Sequence, residues 1–456
     1  MRSLLKKLIP VKLFRFIEPY GHLCEAVLAN VVRGFPAKKL KIIGVTGTNG
    51  KTSTSFLIHR MLHEAGYKVG LMTTVAYGAG DHIKPQMTHM TTLSAPALLD
   101  RIVELKAQGI EWLILETTSH ALAQHRVWGV PFSVAVMTNV THEHLDYHGT
   151  FERYVEAKQR LFVQTNSNRK GLQVGIINAE DPSAEGFAKT IAHPVLYGTS
   201  ATADLKAENI QLSPDGVSYK AVHLDNTYHI RCNLPGSFNV YNSLAAVTVG
   251  EVLGLGEEQI EKGIAALEGV EGRMTRIDEG QDYNVIVDYA HTPDSFEKLF
   301  KDMRPVVTGK LIVMFGSAGR RDEAKRAEQG CLAGEYADEV VVTEEDDRDM
   351  DGQKIMDQIA SGAESKGKKR DSDLFLVHDR TEAIRFAVGR AKKGDTVLLL
   401  GKGHEKDILR NGPRAAELRH LQQDDHNPAR VVTSPWDEIG TARQTVQDRQ
   451  AKPIDT

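Results

Sequence analysis

Apolar residues fall in short blocks whose spacing changes along the chain. Leu40 to Val45 is a mainly apolar run of strand length, followed by Ile58, Met61, Leu62 and Ala65 at helical spacing until Gly66 ends the helix. Lys68 to Val75 reads as a second strand. Ala97 to Ala107 sets Leu98, Ile102 and Leu105 on one helical face, Glu111 to Leu115 is a strand running into Glu116, and Phe151 to Phe162 reads as a helix. The alternation persists from Leu40 to about Leu267 and predicts an α/β fold, a mostly parallel sheet flanked by helices.

The first strand and helix are joined through Gly44 to Ser53, GVTGTNGKTS. Gly44, Gly47 and Gly50 let successive backbone N–H groups turn inward on an anion. Lys51 adds a point charge for the β- and γ-phosphates, and Thr52 offers a hydroxyl to Mg2+. Strand, glycine-rich loop and helix in that order distinguish a phosphate-binding loop (P-loop) from a glycine-rich turn with a chance lysine. A nucleoside triphosphate is the expected ligand.

Composition narrows the setting. At 456 residues the chain exceeds one ordinary core, so two or three domains are expected. A net charge of −4 argues against general affinity for nucleic acid. Cys24, Cys232 and Cys331 are too scattered for a zinc site or a disulfide framework and fit a cytoplasmic protein. No apolar run is long enough to predict a transmembrane helix. Before the P-loop the balance is basic, with Lys or Arg at positions 2, 6, 7, 12, 15, 33, 38, 39 and 41 against Glu18 and Glu25. Such a segment suits a membrane-surface helix or a helix packed on the first domain. Pro10 interrupts it and no signal-peptide core follows, so packing is the preferred expectation and secretion is not expected.

Two stretches, Glu116 to Val127 and Thr138 to Phe162, gather His125, His142, His144 and His148 with Glu116, Glu143 and Asp146. An acidic residue at the carboxyl end of a strand beside a P-loop is placed to reach a metal. Carboxylates and hydroxyls with one imidazole suit Mg2+; zinc is the competing reading, but no cysteine accompanies the histidines. Lys158, in the predicted helix, would by itself be a solvated lysine.

GVTGTNGKTS, the segment ending SHALAQHRV, NVTHEHLDYHG and the Ala157-Lys158 pair of EAKQRLF resemble the central domain of the Mur ligases. The resemblance continues through GSFNVYN (Gly236 to Asn242), Gly272-Arg273-Met274, VDYAHTPD (Val287 to Asp294), FGSAGRRDEAKR (Phe315 to Arg326) and GKGHE (Gly401 to Glu405). It spans about Leu40 to Ile408 in the family's order and lies nearest the MurE branch, which adds the third residue of the peptidoglycan stem peptide. It implies a basic helical segment over 1–39, a central ATPase domain over 40–270 and a Rossmann-like C-terminal domain over 271–443. Strands of the last domain are expected near 284–287, 310–315, 339–343, 374–377 and 396–400. Arg414 to Pro435 is polar, lacks apolar periodicity and is expected to be an inserted loop, and 444–456 a disordered tail. The family ordinarily carries a uridine-nucleotide domain ahead of the P-loop. Only the residues up to Ile43 stand there in this sequence, so that domain is expected to be absent or donor recognition to lie on another surface.

The resemblance implies ATP-driven amide formation, through an acyl phosphate, on a UDP-MurNAc-L-Ala-D-Glu type donor. Gly47, Thr48, Asn49, Gly50, Lys51 and Thr52 would hold the phosphates. Thr52, Glu116 and His144 would hold Mg2+, and Lys158 matches the family's carbamoylated lysine, whose carbamate joins the metal. Lys51, Glu116, His144 and Lys158 form the implied catalytic set. Asn239, Asn242, Arg273, Asp288, Tyr289 and His291 match nucleotide contacts, although Asn239 and Asn242 would also serve as helix caps and Arg273 as a surface linker residue. Thr91, Thr92, Ser119 and Arg126 match donor contacts.

For the acceptor, the family's DNPR motif aligns with Glu345 to Arg348, so Asp346 replaces asparagine and Asp347 replaces proline, while Arg348, Gly401 and Glu405 keep their places. Arg348, with Arg321 as a second cation, suits the distal carboxylate of meso-diaminopimelate, and Glu405 its ammonium. The added negative charge favours L-lysine, the alternative acceptor. Other readings are a folylpolyglutamate- or cyanophycin-type ligase and a non-catalytic nucleotide-binding partner; VDYAHTPD, LDYHG and the intact catalytic set favour the stem-peptide ligase. The expected partners are a small-molecule precursor and a free amino acid, with a monomer as the expected state.

Overall fold

The computed structural model describes residues 11–86, 91–213, 215–411 and 431–451, apart from the side chains of 11–19 and 146. The Asp146 side chain, residues 414–430 of the expected insertion and 452–456 of the expected tail lie outside that description. The chain divides into two units, Met1–Glu268 and Gly269–Thr456.

The strands of the first unit are β1 (Lys41–Thr46), β2 (Val69–Met72), β3 (Ala76–Ala79), β4 (His82–Pro85), β5 (Trp112–Glu116), β6 (Phe132–Met137), β7 (Val174–Asn178), β8 (His193–Gly198), β9 (Leu205–Ser213), β10 (Gly216–His223) and β11 (Asn226–Cys232). They form one sheet in the order β11-β10-β9-β8-β7-β6-β1-β5-β2-β3-β4. From β9 to β2 the pairings are parallel. β5 and β6 are buried throughout and β1 beyond Lys41, which is why they read as near-continuous apolar runs. Ile42, Leu113, Leu115 and Phe132 join a core on one face with Leu98, Ile102 and Leu161, while the helix Lys51–Glu64 buries Leu57, Ile58, Met61 and Leu62. At both ends the sheet is antiparallel. The short links there, such as 224–225 and 80–81, cannot make the long crossover that a parallel neighbour requires.

Ahead of β1 runs the helix Val11–Val32. Ala26 and Ala29 are buried, Asn30 Nδ2 donates to Ala26 O and Trp128 O at 2.9 Å each, and Arg33 pairs with Asp100 on the helix Ala95–Ala107. No helix among the described residues is long and apolar enough to cross a membrane.

The second unit contains β12 (Thr275–Ile277), β13 (Asn284–Asp288), β14 (Leu311–Phe315), β15 (Glu339–Val342), β16 (Leu374–Leu376) and β17 (Thr396–Leu400), in the order β12-β13-β17-β14-β15-β16. All pair in parallel except β12. The helices Pro293–Met303, Ala324–Tyr336, Gly352–Ser365 and Arg380–Arg390 alternate with these strands.

Two expectations for the C-terminal region are corrected. Val431–Pro435, within the expected loop, forms β19, which pairs antiparallel with β18 (Asp407–Asn411). It is mostly exposed on both faces, so it carries no period-two apolar pattern to read. The helix Glu438–Ala451 continues through residues expected to be disordered. Its hold on the core includes Ala442 and Val446, one turn apart, the fully buried Glu438–Arg380 ion pair at 2.7 Å, and Arg449, which donates to Val388 O and Ala391 O. Such an anchor depends on a distant residue and leaves little local signal.

Candidate functional site

β5, β1 and β6 are adjacent, so their carboxyl ends bring Glu116, the P-loop and Thr138-Asn139 together. The loop is clamped to β6. Thr48 N donates to Asn139 O at 2.8 Å and Asn49 N to Asn139 Oδ1 at 2.9 Å, while Thr138 Oγ1 donates to Asn49 O at 2.6 Å. Gly47 and Gly50 have φ of +154° and +80°, and a Cβ would lie 1.9 Å from Thr138 Oγ1 at Gly47 and 2.2 Å from Asn242 Oδ1 at Gly50. A side chain at either position would be strained at that φ and would displace Thr138 or Asn242. Lys51 Nζ donates to Thr48 O at 2.7 Å, folded over the loop.

Glu116 is 1% exposed. It accepts from Thr52 Oγ1, Thr74 N and Thr74 Oγ1, each at 3.0 Å, and among the described residues no lysine or arginine pairs with it. A buried carboxylate without a cation beside a P-loop threonine is a donor set that a divalent magnesium ion fits. Lys158, also 1% exposed, donates to Gly47 O at 2.5 Å and lies 4.5 Å above the Tyr154 ring. Burial, and then the charge of Lys51, press its amine far below the usual lysine pKa. Tyr154 hydrogen-bonds Thr48 Oγ1 at 2.9 Å, and its ring lies 6.3 Å from that of His144.

His144 and His148 both pack against His120, with ring centroids 4.6 and 5.4 Å apart, and near Tyr154. His144 opens the short helix Leu145–His148 with φ +57°, 3.7 Å from Glu143. His148 Nε2 contacts Ser119 Oγ at 3.1 Å, and His142 lies against Phe151. Burial lowers the pKa of His125. Among the described residues three metal-type donors converge only at Glu344, Asp347 and His378 in the second unit, where Arg410 already binds Glu344 at 2.5 and 2.8 Å.

The residues matched to the donor lie nearby. Thr92 Oγ1 donates to Glu116 O at 3.1 Å, and Arg126 Nη1 to Thr92 O at 3.0 Å. Thr91 is half-buried. Asn239 and Asn242, on the helix Phe238–Val252, are linked at 2.8 Å and do not act as its N-cap; Asn242 reaches the P-loop at Gly50 and Thr54.

In the second unit Asp288 ends β13 and accepts from Met274 N and Ala290 N at 2.7 Å each. Arg273 lies 4.5 Å over the Tyr289 ring, His291 Nδ1 is 2.8 Å from Tyr289 O, and Tyr289 OH donates to Glu405 Oε1 at 3.2 Å. Gly401 follows β17. Lys402, 1% exposed, joins the motifs: its Nζ donates to Asp346 Oδ1 at 3.0 Å and pairs with Glu405. Asp346 Oδ1 also accepts from Leu409 N at 3.0 Å, and Asp347 pairs with His378 at 2.9 Å. Arg348 is held by Leu409 O through its N–H and by Gly319 O through Nη1 at 3.0 Å. It has no carboxylate within ion-pair distance among the described residues. Burial and then the charge of Arg321, itself exposed, lower its pKa.

Sequence reasoning missed Lys402, Tyr154, Asn139 and Thr74. Lys402 lies inside GKGHE and Tyr154 one helical turn before Lys158, so both had a signal. Asn139 opens the quoted NVTHEHLDYHG and so had one too, whereas Thr74 is recruited by strand adjacency.

A P-loop at the carboxyl ends of a parallel sheet, with a second α/β unit following, is the organisation of a nucleotide-dependent enzyme. The family profile of the Mur ligase middle domain matches residues 45–250, and that of the Mur ligase glutamate ligase domain residues 272–403. The chain is 39% identical over 454 residues to UDP-N-acetylmuramyl-tripeptide synthetase of Roseiflexus sp. (strain RS-1), spanning 96% of this chain and 84% of that protein. It is 38% identical over 392 residues to UDP-N-acetylmuramoyl-L-alanyl-D-glutamate–2,6-diaminopimelate ligase of Geobacillus thermodenitrificans (strain NG80-2), spanning 85% and 79%. A solved structure of a ligase of the latter name superposes with a TM-score of 0.60 at 31% identity, covering 91% of this chain and 80% of that one. The chain belongs to the Mur ligase family and is an ATP-dependent amide ligase, and its relatives are of the MurE type.

Proposed function

We propose that the protein joins meso-diaminopimelate, as the third stem residue, to a UDP-MurNAc-L-Ala-D-Glu type donor. The observation that carries the acceptor choice is the charge state of residues 346–348. Asp346 and Asp347, the two departures from the family motif, are each engaged, by Lys402 and His378. Arg348 keeps a half-buried guanidinium with no carboxylate in ion-pair contact among the described residues; the like charge of Arg321 acts against it, and the charges of Asp346, Glu345 and Glu405 act for it. A distal carboxylate would give that guanidinium a direct, bidentate counter-charge, which an amino acid bringing only a second ammonium does not.

In this reading the donor carboxylate attacks the γ-phosphorus of ATP and ADP leaves. The acceptor amine then attacks the acyl phosphate, and inorganic phosphate departs as the amine gives up a proton. Lys51 and the loop N–H groups neutralise the phosphates. Thr52, Glu116, His144 and carbamoylated Lys158 would hold magnesium, which when bound supplies charge neutralisation at the transferred phosphoryl group. The neutral amine that burial favours at Lys158 is the form that adds to carbon dioxide, releasing a proton. Thr91, Thr92, Ser119 and Arg126 would hold the donor. Asn239, Asn242, Arg273, Asp288, Tyr289 and His291 would contribute nucleotide contacts, and Gly401 and Glu405 the acceptor's amino end.

The test is a panel of acceptors with product mass read by mass spectrometry. Diaminopimelate should be ligated in preference to L-lysine, and Arg348→Ala should lose at least about tenfold in kcat/KM for diaminopimelate. Efficient ligation of L-lysine alone would overturn the assignment.

A further inference from the structure

Two cations of the second unit share one set of carboxylates. Lys402, fully buried, lies in the loop after β17, and Arg348, half-buried, in the segment after β15. Glu345, Asp346 and Glu405 act electrostatically on both. Lys402 is the one in direct contact: its Nζ donates to Asp346 Oδ1 at 3.0 Å and pairs with Glu405, whereas Arg348 Nη1 donates to Gly319 O. Glu345 forms an ion pair with neither among the described residues. Its Oε2 is buried without a hydrogen-bond partner and lies against Gly401, where a Cβ would be 2.7 Å away. Burial opposes the charge of Lys402, but Glu405 and Asp346 outweigh it and raise its pKa, so the lysine stays a cation.

Asp346 stands where the family motif has asparagine, so this chain adds a carboxylate two residues from Arg348. We propose that Lys402 is a specificity-determining residue for the acceptor. By holding Asp346 and sharing Glu405 it keeps them from compensating Arg348, and so leaves that guanidinium open to a carboxylate on the incoming amino acid. Without Lys402 the same carboxylates would neutralise Arg348 and leave excess negative charge, which repels a distal carboxylate and attracts a second ammonium. The inference rests on the reading of Glu345–Arg348 and Gly401–Glu405 as acceptor loops and names the residue that sets their charge balance.

The test uses the full chain with ATP, the UDP-MurNAc-L-Ala-D-Glu donor and both acceptors together. Product masses give the ratio of kcat/KM for meso-diaminopimelate to that for L-lysine. Lys402→Met should lower the ratio about tenfold, and Asp346→Asn should raise it. The double variant, which removes one charge of each sign, should return to within about threefold of the wild type. A lysine that only packed the loops would affect both acceptors alike, and a second lost contact would not correct it. An unchanged ratio, an equal loss of both acceptors, or a double variant no nearer the wild type than Lys402→Met would overturn the proposal. If circular dichroism shows Lys402→Met unfolded, the other two variants decide: Asp346→Asn must raise the ratio and the double variant must fall below it. A wild type that ligates only L-lysine would overturn the acceptor choice instead. Lys402→Met should then raise kcat/KM for L-lysine, and an unchanged value would remove Lys402 as well.

Discussion

Glu438→Gln should destabilise the second unit and weaken acceptor binding together. Arg380 and Glu438 are both fully buried and meet through two contacts, Nε to Oε2 at 2.8 Å and Nη2 to Oε1 at 2.7 Å. The same guanidinium donates to Glu344 O at 2.8 Å and to Leu400 O at 2.7 Å. These carbonyls immediately precede Glu345–Arg348 and Gly401–Glu405, so one arginine ties the C-terminal helix to both loops proposed to bind the acceptor. Glutamine keeps the shape and one acceptor oxygen but leaves the buried cation without its counter-charge. Removing one partner of a buried pair costs about 3–5 kcal/mol, and the surviving carbonyl bonds place this case near about 3. With a urea slope of about 2 kcal/mol/M the midpoint should fall by about 1.5 M. Trp436 is a local reporter, because its Nε1 donates to Glu438 Oε2 at 2.8 Å and the other two tryptophans, Trp112 and Trp128, lie in the first unit. Its fluorescence should follow the shifted transition. The KM for the amino acid should rise while the KM for ATP stays unchanged, and Arg380→Met combined with Glu438→Leu should recover much of the stability. An unshifted Trp436 transition with an unchanged acceptor KM would refute the reasoning.

Three further outcomes are expected. Lys51→Ala should abolish phosphate release while circular dichroism stays native, because the lysine contacts the loop carbonyl of Thr48 and supports no core; wild-type turnover would exclude this P-loop from catalysis. Lys158→Ala should be nearly inactive and partly rescued by high formate or acetate, measured as phosphate release, if a carboxylate is what the site requires; full activity without rescue would contradict it. His59 is 4% exposed, and burial, then His63, lower its pKa from 6.5 to about 4. The folded state therefore holds it neutral, and the stability it permits is complete above about pH 6.5 and lost as pH falls toward about 4, by about 3 kcal/mol. Urea midpoints at about pH 7 and about pH 4.5 should differ less in His59→Gln than in the wild type, and identical differences would remove His59 as the cause.

The phosphate cradle, the parallel strands around it and the strands of the second unit were legible in the sequence because their causes are local. Glycines that must turn, a lysine and threonine at fixed offsets, and apolar runs of strand length act within a few neighbours. The helix Glu438–Ala451 and β19 were not legible. One is anchored by an arginine far back in the chain, and the other is satisfied by a backbone ladder rather than an apolar face.

The sequence alone determined that Asp346 and Asp347 add charge beside Arg348, but it left open whether that charge would face a substrate. The fold gives both carboxylates partners within the protein: it packs the segment after β15 beside the loop after β17, which brings a buried lysine against Asp346, and it sets His378 against Asp347. The identities of Leu28, Val31 and Val32 were likewise plain, while their outward direction followed from which face of the helix packs Ala26 and Ala29 against the first unit. Residue type and local spacing fix what chemistry a side chain can offer. Its partner, its charge compensation and its exposure depend on strand order and helix packing, which bring together residues far apart in the chain.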